Sequence, residues 1–155
     1  MPTHSEVRFV PYAAEEIFEM VGDIAKYPDF LPWCAGARIR KEEMVDGHKV
    51  ITADLIIAYK VFREKFSSKV TLYPETLKVD ISYQDGPFKY LNSHWKVRPL
   101  DEGSEIDFYV DFEFKNRLLQ SMVARIFTKA VHKMVSAFID RADVLYGPQN
   151  DAEPK

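Results

Sequence analysis

Cysteine is nearly absent: Cys34 is the only one in 155 residues. No intrachain disulfide can form, and no thiolate cluster can hold a metal. The four histidines, His4, His48, His94 and His132, show no paired-ligand spacing, so no metal site is expected. Positive charge is not in excess, since 21 Lys and Arg against 24 Asp and Glu leave a net charge of -3. The overall basic footprint that drives nucleic-acid binding is missing, and DNA is not an expected partner, although a local basic patch stays open. No apolar run approaches the ~20 residues of a membrane-spanning helix. The opening Met1-Pro2-Thr3-His4-Ser5-Glu6 lacks the cationic start and apolar block of a signal peptide. A cytoplasmic location is expected, with any membrane contact peripheral, at the inner membrane. The chain has no nucleophile elbow, P-loop or dinucleotide fingerprint, and no internal repeat or linker divides it. It is expected to form one domain over residues 1–147, with a mobile polar tail at 148–155.

Apolar residues, in contrast, are plentiful at 46%, and aromatics reach 14%. Apolar pairs recur from Leu118 to Leu145 in steps of four: Leu118/Leu119, Met122/Val123, Ile126/Phe127, Ala130/Val131, Met134/Val135 and Phe138/Ile139, then Ala142. Neither Pro nor Gly interrupts them. The spacing predicts one long helix with a wide apolar stripe. A step of four advances ~400°, so the stripe winds ~40° per step and calls for a curved partner. Asn116 is suited to cap this helix and Gly147-Pro148 to end it.

The preceding chain supplies strands. Glu6–Val10 alternates and stops at Pro11. Ala13–Ile24 has helical spacing, with Glu15 and Glu16 in its first turn, where the helix dipole favours them. Two prolines four apart restrict Tyr27–Cys34 to a short helical turn and a loop that carries Tyr27, Phe30, Leu31 and Trp33. From Ala37 to Lys115 the period is two. Strands are expected near Ala37–Glu43, Lys49–Ile57, Val61–Leu72, Leu77–Tyr83, Leu91–Arg98 and Glu105–Phe114. In the last of these, Ile106, Phe108, Val110, Phe112 and Phe114 face one way and Asp107, Tyr109, Asp111 and Glu113 the other. One dry face and one wet face describe an antiparallel meander.

This order resembles the START-like helix-grip superfamily, an α+β fold in which a curved antiparallel sheet of about seven strands wraps a long C-terminal helix, with two short helices after strand 1. Within it the chain resembles the coenzyme Q-binding START-domain family, which also includes bacterial ribosome-association toxins. The strings that carry the resemblance span roughly residues 3 to 146. They are Val10-Pro11-Tyr12-Ala13-Ala14-Glu15, Tyr27-Pro28-Asp29-Phe30-Leu31-Pro32-Trp33-Cys34, Asp85-Gly86-Pro87-Phe88-Lys89, Trp95-Lys96-Val97-Arg98-Pro99-Leu100, Asp111-Phe112-Glu113-Phe114-Lys115-Asn116 and Met134-Val135-Ser136-Ala137-Phe138. The resemblance implies a non-enzymatic protein that binds ubiquinone or another prenyl lipid and supports respiration. Alternatively, it implies one that binds the large ribosomal subunit and blocks subunit joining. Ubiquinone is the expected ligand, with no catalytic cofactor.

The expected ligand wall is Leu31, Trp33, Phe62, Phe66, Ile81, Tyr83, Trp95, Phe108, Phe112, Phe127, Met134 and Phe138, a mostly apolar lining of the kind ligand pockets show. The same residues would also make an ordinary core. Arg125, Lys129 and Lys133, again stepped by four, form a basic stripe suited to anionic head groups or ribosomal RNA, or simply to solvent. Arg38, Arg40 and Lys41 form a smaller cluster. An acid–base pair from His94 with Asp54 or Glu64 would suit a cyclase, which the wider superfamily contains; a structural role fits these residues better. Cys34 has no local His partner and reads as a packing residue.

Overall fold

The computed structural model describes residues 3–59 and 62–147. The side chains of Tyr59 and Phe62, the start of the expected strand at Val61, and the expected tail at 148–155 lie outside the described residues.

The chain begins with β1 (Thr3–Val10), which ends at Pro11. It continues through α1 (Ala14–Gly22) and a 3-10 helix (Ile24–Asp29) that contains Pro28. Six strands follow: β2 (Cys34–Val45), β3 (His48–Tyr59), β4 (Phe62–Tyr73), β5 (Lys78–Asp85), β6 (Phe88–Leu100) and β7 (Gly103–Phe114). The long helix α2 (Arg117–Tyr146) closes the fold. All strand pairs are antiparallel, in the order β1-β7-β6-β5-β4-β3-β2. The first strand therefore pairs with the last, and α1 with the 3-10 helix carries the chain from one edge of the sheet to the other.

Alternation sets the faces. Ile106, Phe108, Val110 and Phe114 of β7 are buried, and Val97 and Trp95 of β6 lie opposite Ile106 and Phe108. One face of α1 buries Ile17, Met20 and Val21. α2 buries Phe127, Val131, Val135, Phe138 and Ala142, a single line at steps of three and four. The Asn116 side chain accepts from the Leu119 N–H at 3.0 Å, and the Gly147 N–H donates to the Asp143 carbonyl at 3.0 Å. At the C-terminal end the Tyr146 hydroxyl donates to the Glu16 carbonyl at 3.0 Å and the Tyr12 hydroxyl donates to Asp143.

Two sequence expectations need correction. The sheet does not cover the whole winding stripe: Leu118 is 81% exposed and Met122 48%. Leu77 does not begin β5; it precedes the strand with a φ of +54°. There its carbonyl accepts from the Val97 N–H at 2.9 Å, and its side chain still packs on the core. Left-handed backbone costs a side-chain-bearing residue about 1–2 kcal/mol, here offset by that bond and burial.

Gly103 sits at the β6–β7 turn with a φ of +150°, and a Cβ there would lie 2.2 Å from the Val10 carbonyl oxygen. Gly47, at φ +82°, has open space around it. Gly103→Ala should therefore lower stability by about 3 kcal/mol or more, and Gly47→Ala by about 1 kcal/mol. Urea unfolding measures both, and equal losses at the two positions would refute the close-approach argument.

Candidate functional site

The candidate ligand residues divide into two connected groups. Trp95, Phe108, Phe127 and Phe138 belong to the main core, with Leu31, Ile81, Phe112 and Met134 packed partly buried against it. Phe66, with Phe88 and Phe114, forms a second cluster that Tyr83, Leu91, Leu119 and Val123 join. Leu55, Phe112 and Val123 touch both, so the apolar interior is continuous beneath α2.

Within it some positions are filled. The Trp95 ring lies 4.5 Å from Phe108 and 4.6 Å from Phe138, centroid to centroid. Phe127 meets Phe112 edge-on at 5.1 Å. The half-buried members Leu31, Trp33, Ile81, Tyr83, Phe112 and Met134 are the ones a ligand would meet first. Trp33 has a φ of +69°, and its carbonyl accepts from the Ala58 N–H at 2.8 Å, which ties the loop to β3. Phe62 opens β4, but its side chain lies outside the described residues. Cys34 is half-buried beside this loop, and burial pushes its thiol pKa up. Such a thiol packs and does not act as a nucleophile.

The acid–base candidates do not meet. Asp54 on β3 and His94 on β6 are separated by two strands, about 14 Å across the ladder. Asp54 is buried on the convex face. Burial there opposes its ionisation, but the Ser67 hydroxyl, Arg40 and Lys65 outweigh that and hold the carboxyl below its usual range. His94 stacks on Tyr109 at 5.3 Å, and Glu64 is exposed. A shallow depression of about 410 Å³ lies on this convex face, lined by Arg40, Lys41, Glu43, Thr52, Lys69 and Gln84.

The outer side of α2 is polar. Arg125, Lys129 and Lys133 are all exposed, as are Lys115, Arg117 and His132. No Asp or Glu occurs between Glu113 and Asp140. Among the described residues Arg117, Arg125, Lys129 and Lys133 form no ion pair with any carboxylate. The last turn of α2 contains no basic residue, and its first turn contains no acidic one. Helix dipoles favour the opposite arrangement at the two ends, which bears on Arg117 in the first turn.

A polar network on the concave side was missed in the sequence. His4, Glu6 and Arg8 of β1 point towards α2 because they share the side of the even-numbered Val10. His4 Nε2 lies 2.8 Å from Glu6 Oε1, and Arg8 Nη1 donates to Glu6 Oε2 at 2.7 Å. His132 Nδ1 lies 3.0 Å from the same oxygen, and Arg8 also donates to Ser136 Oγ at 3.3 Å. The period-two spacing of these three polar residues was the available signal. Burial works against the Glu6 charge, but the bonds from His4, Arg8 and His132 outweigh it and lower the pKa.

Residues 10–139 match the family described as polyketide cyclase/dehydrase and lipid transport. The chain belongs to that family, and its fold is the helix-grip fold of START-like proteins. It is 34% identical over 145 residues to the ribosome association toxin RatA of Rickettsia prowazekii, across 92% of this chain and 97% of that one. It is 36% identical over 147 residues to the persistence and stress-resistance toxin PasT of Escherichia coli, across 94% and 90%. The mitochondrial coenzyme Q-binding protein COQ10 of Drosophila melanogaster is 29% identical; the match covers 94% of this chain but 60% of that protein. Among solved structures, the 18 kDa protein CC1736 of Caulobacter crescentus superposes with a TM-score of 0.78 at 32% identity, across 95% and 99% of the two chains. The Zhui aromatase/cyclase of a Streptomyces superposes with a TM-score of 0.76 at 14% identity, across 95% and 98%, a likeness of fold alone. Among the described residues, no helix is long and apolar enough to cross a membrane.

A lowered carboxyl pKa stabilises the fold above the usual value of 4.5. That contribution is lost as pH falls through the lowered value. Wild type should therefore exceed Glu6→Gln in stability at neutral pH, and the gap should close as pH drops below 4.5. Urea unfolding across that range reads it; a gap that does not change with pH would show that the Glu6 charge contributes nothing.

Proposed function

We propose that this protein associates with the large ribosomal subunit through the basic outer face of α2 and interferes with subunit joining. The observation that carries this reading is the set of exposed cations, Arg117, Arg125, Lys129 and Lys133, which form no ion pair among the described residues. A phosphate backbone would supply the counter-charge that this stretch of helix lacks, through contacts that release condensed counterions. Relatives at 34–36% identity over nearly the whole chain are named as toxins, three of the four as ribosome association toxins, and they support this reading over the lipid one. Arg125→Glu combined with Lys129→Glu should weaken co-sedimentation with large subunits at least tenfold and reduce the salt slope by about one per lost phosphate contact. Both residues are exposed, so the fold should be unaffected. Undiminished binding by the double variant would exclude this face.

A second reading is favoured by the continuous apolar interior and by the coenzyme Q-binding relative. Here a prenyl quinone sits between the sheet and α2, against Ile81, Tyr83, Phe112 and Met134, its tail gaining roughly 25 cal/mol per Å² of buried apolar surface. Protein purified from a quinone-containing host should release quinone into organic solvent. Mass spectrometry that finds no more prenyl lipid than in a control protein would defeat this reading. Trp95→Asp is a poor probe because Trp95 is fully packed core; Tyr83→Asp at the half-buried rim should cut retention without unfolding.

A further inference from the structure

The sheet has two edges, and they are built differently. β2 carries Arg38, Arg40, Lys41, Glu42 and Glu43, and its register against β3 breaks between Cys34 and Gly36 and again between Ile39 and Lys41. Charges and bulges of this kind keep an edge strand from accepting another strand. β1, at the other edge, has no bulge. Its ladder with β7 runs unbroken from Thr3 to Val10. Its convex side carries Thr3, Ser5, Val7 and Phe9, none of them charged, with Val7 57% and Phe9 58% exposed. Among the described residues, no other segment hydrogen-bonds to its free backbone edge.

We propose that the β1 edge is a self-association surface. Two copies pair β1 antiparallel about a two-fold axis through Val7, which joins their sheets. Val7 then faces the partner's Val7, and Ser5 faces the partner's Phe9. Phe9 reaches diagonally to the partner's Val7, a separation that aromatic side chains span. The exposed apolar pair is thereby covered by its own symmetry mate, as isologous contacts require.

The concave side fixes the register. Inward charges on an edge usually deter pairing, because a new strand buries them without partners. With the axis on Val7, each Glu6 stands opposite the partner's Arg8, and each Arg8 opposite the partner's Glu6. Moving the axis to Glu6 sets two carboxylates face to face, and moving it to Arg8 does the same with two guanidiniums. Opposite charges across strands stabilise and like charges destabilise, so the alternation of Glu6, Val7 and Arg8 favours the Val7 axis over the two adjacent ones.

Sedimentation of the full chain from low micromolar to near-millimolar concentration tests the association. Wild type should pass from monomer to twice that mass. Val7→Lys, which sets two ammonium groups on the axis, should remain monomeric throughout with an unchanged unfolding midpoint. In a Cys34→Ser background, Val7→Cys should cross-link to a dimer on mild oxidation, whereas Ser5→Cys, which faces the partner's Phe9, should not. A wild-type chain that stays monomeric at the highest concentration overturns the proposal. So does a Val7→Lys variant that still dimerises, or a Ser5→Cys variant that cross-links as readily as Val7→Cys.

Discussion

The ring of Phe138 is where the fold is joined. It meets Tyr27 edge-on at 5.3 Å, Phe30 at 5.2 Å and Trp95 at 4.6 Å. These rings come from the 3-10 helix, from the loop after it and from the middle of the sheet. Edge-to-face pairs add about 0.5–1.5 kcal/mol each beyond the area they bury. The 3-10 helix needs them most: six residues with Pro28 inside cannot hold together on backbone hydrogen bonds alone. Yet this segment must carry the chain from β1 at one edge to β2 at the other. The Tyr27 hydroxyl donates to the Val21 carbonyl and so fixes the segment to α1 as well. Without Phe138, the crossing, the helix and the sheet would each lose their common contact.

That junction divides α2 into two halves. Val135, Phe138 and Ala142 are fully buried, and Tyr12 and Tyr146 tie the last turns to the rest of the chain. The N-terminal half exposes Leu118 and Met122, and with them Arg117, Arg125 and Lys129, which form no ion pair among the described residues. Packing demands thus concentrate in the second half of the helix. Charge choice is free in the first half because little packing constrains it. Arg117 alone of these cations sits in the first turn, at the positive end of the dipole, and its exposure lets solvent screen the cost.

Periodic residues made the fold legible. The alternation of β7 and the stripe of α2 predicted both elements and the face each buries, and the six family strings located the crossing segment. The strands run longer than the sequence suggested, since pairing extends β6 back to Phe88 and β4 to Tyr73. What was not legible breaks the pattern locally. Leu77 looked like the first inward residue of a strand, but it takes a left-handed turn that nothing in its apolar side chain announces. In β1 the polarity is inverted: Val7 and Phe9 face out while Glu6 and Arg8 face the helix. A hydrophobicity rule places them the other way round, because it cannot know that His132 and Ser136, more than a hundred residues later, will satisfy the inward charges. The apolar rings were legible as an interior set, and the same set serves a core or a ligand wall equally well. Phe112 and Phe108 show this, one half-buried and the other sealed on a single strand.

A helix-grip fold does not specify a function, because the same scaffold serves enzymes and carriers alike. The difference lies in where chemistry is left unsatisfied. In this chain the buried carboxylate Asp54 is bonded to Ser67 and Arg40, and Glu6 is met by three donors. The cations Arg117, Arg125, Lys129 and Lys133 of α2, by contrast, form no ion pair among the described residues. Interior and surface are nonetheless connected. Leu119 and Val123 touch the aromatic cluster of Phe66, Phe88 and Phe114 from the turns that adjoin Arg125 and Lys129. A ligand lodged against that cluster would press on the same turns that present the basic face.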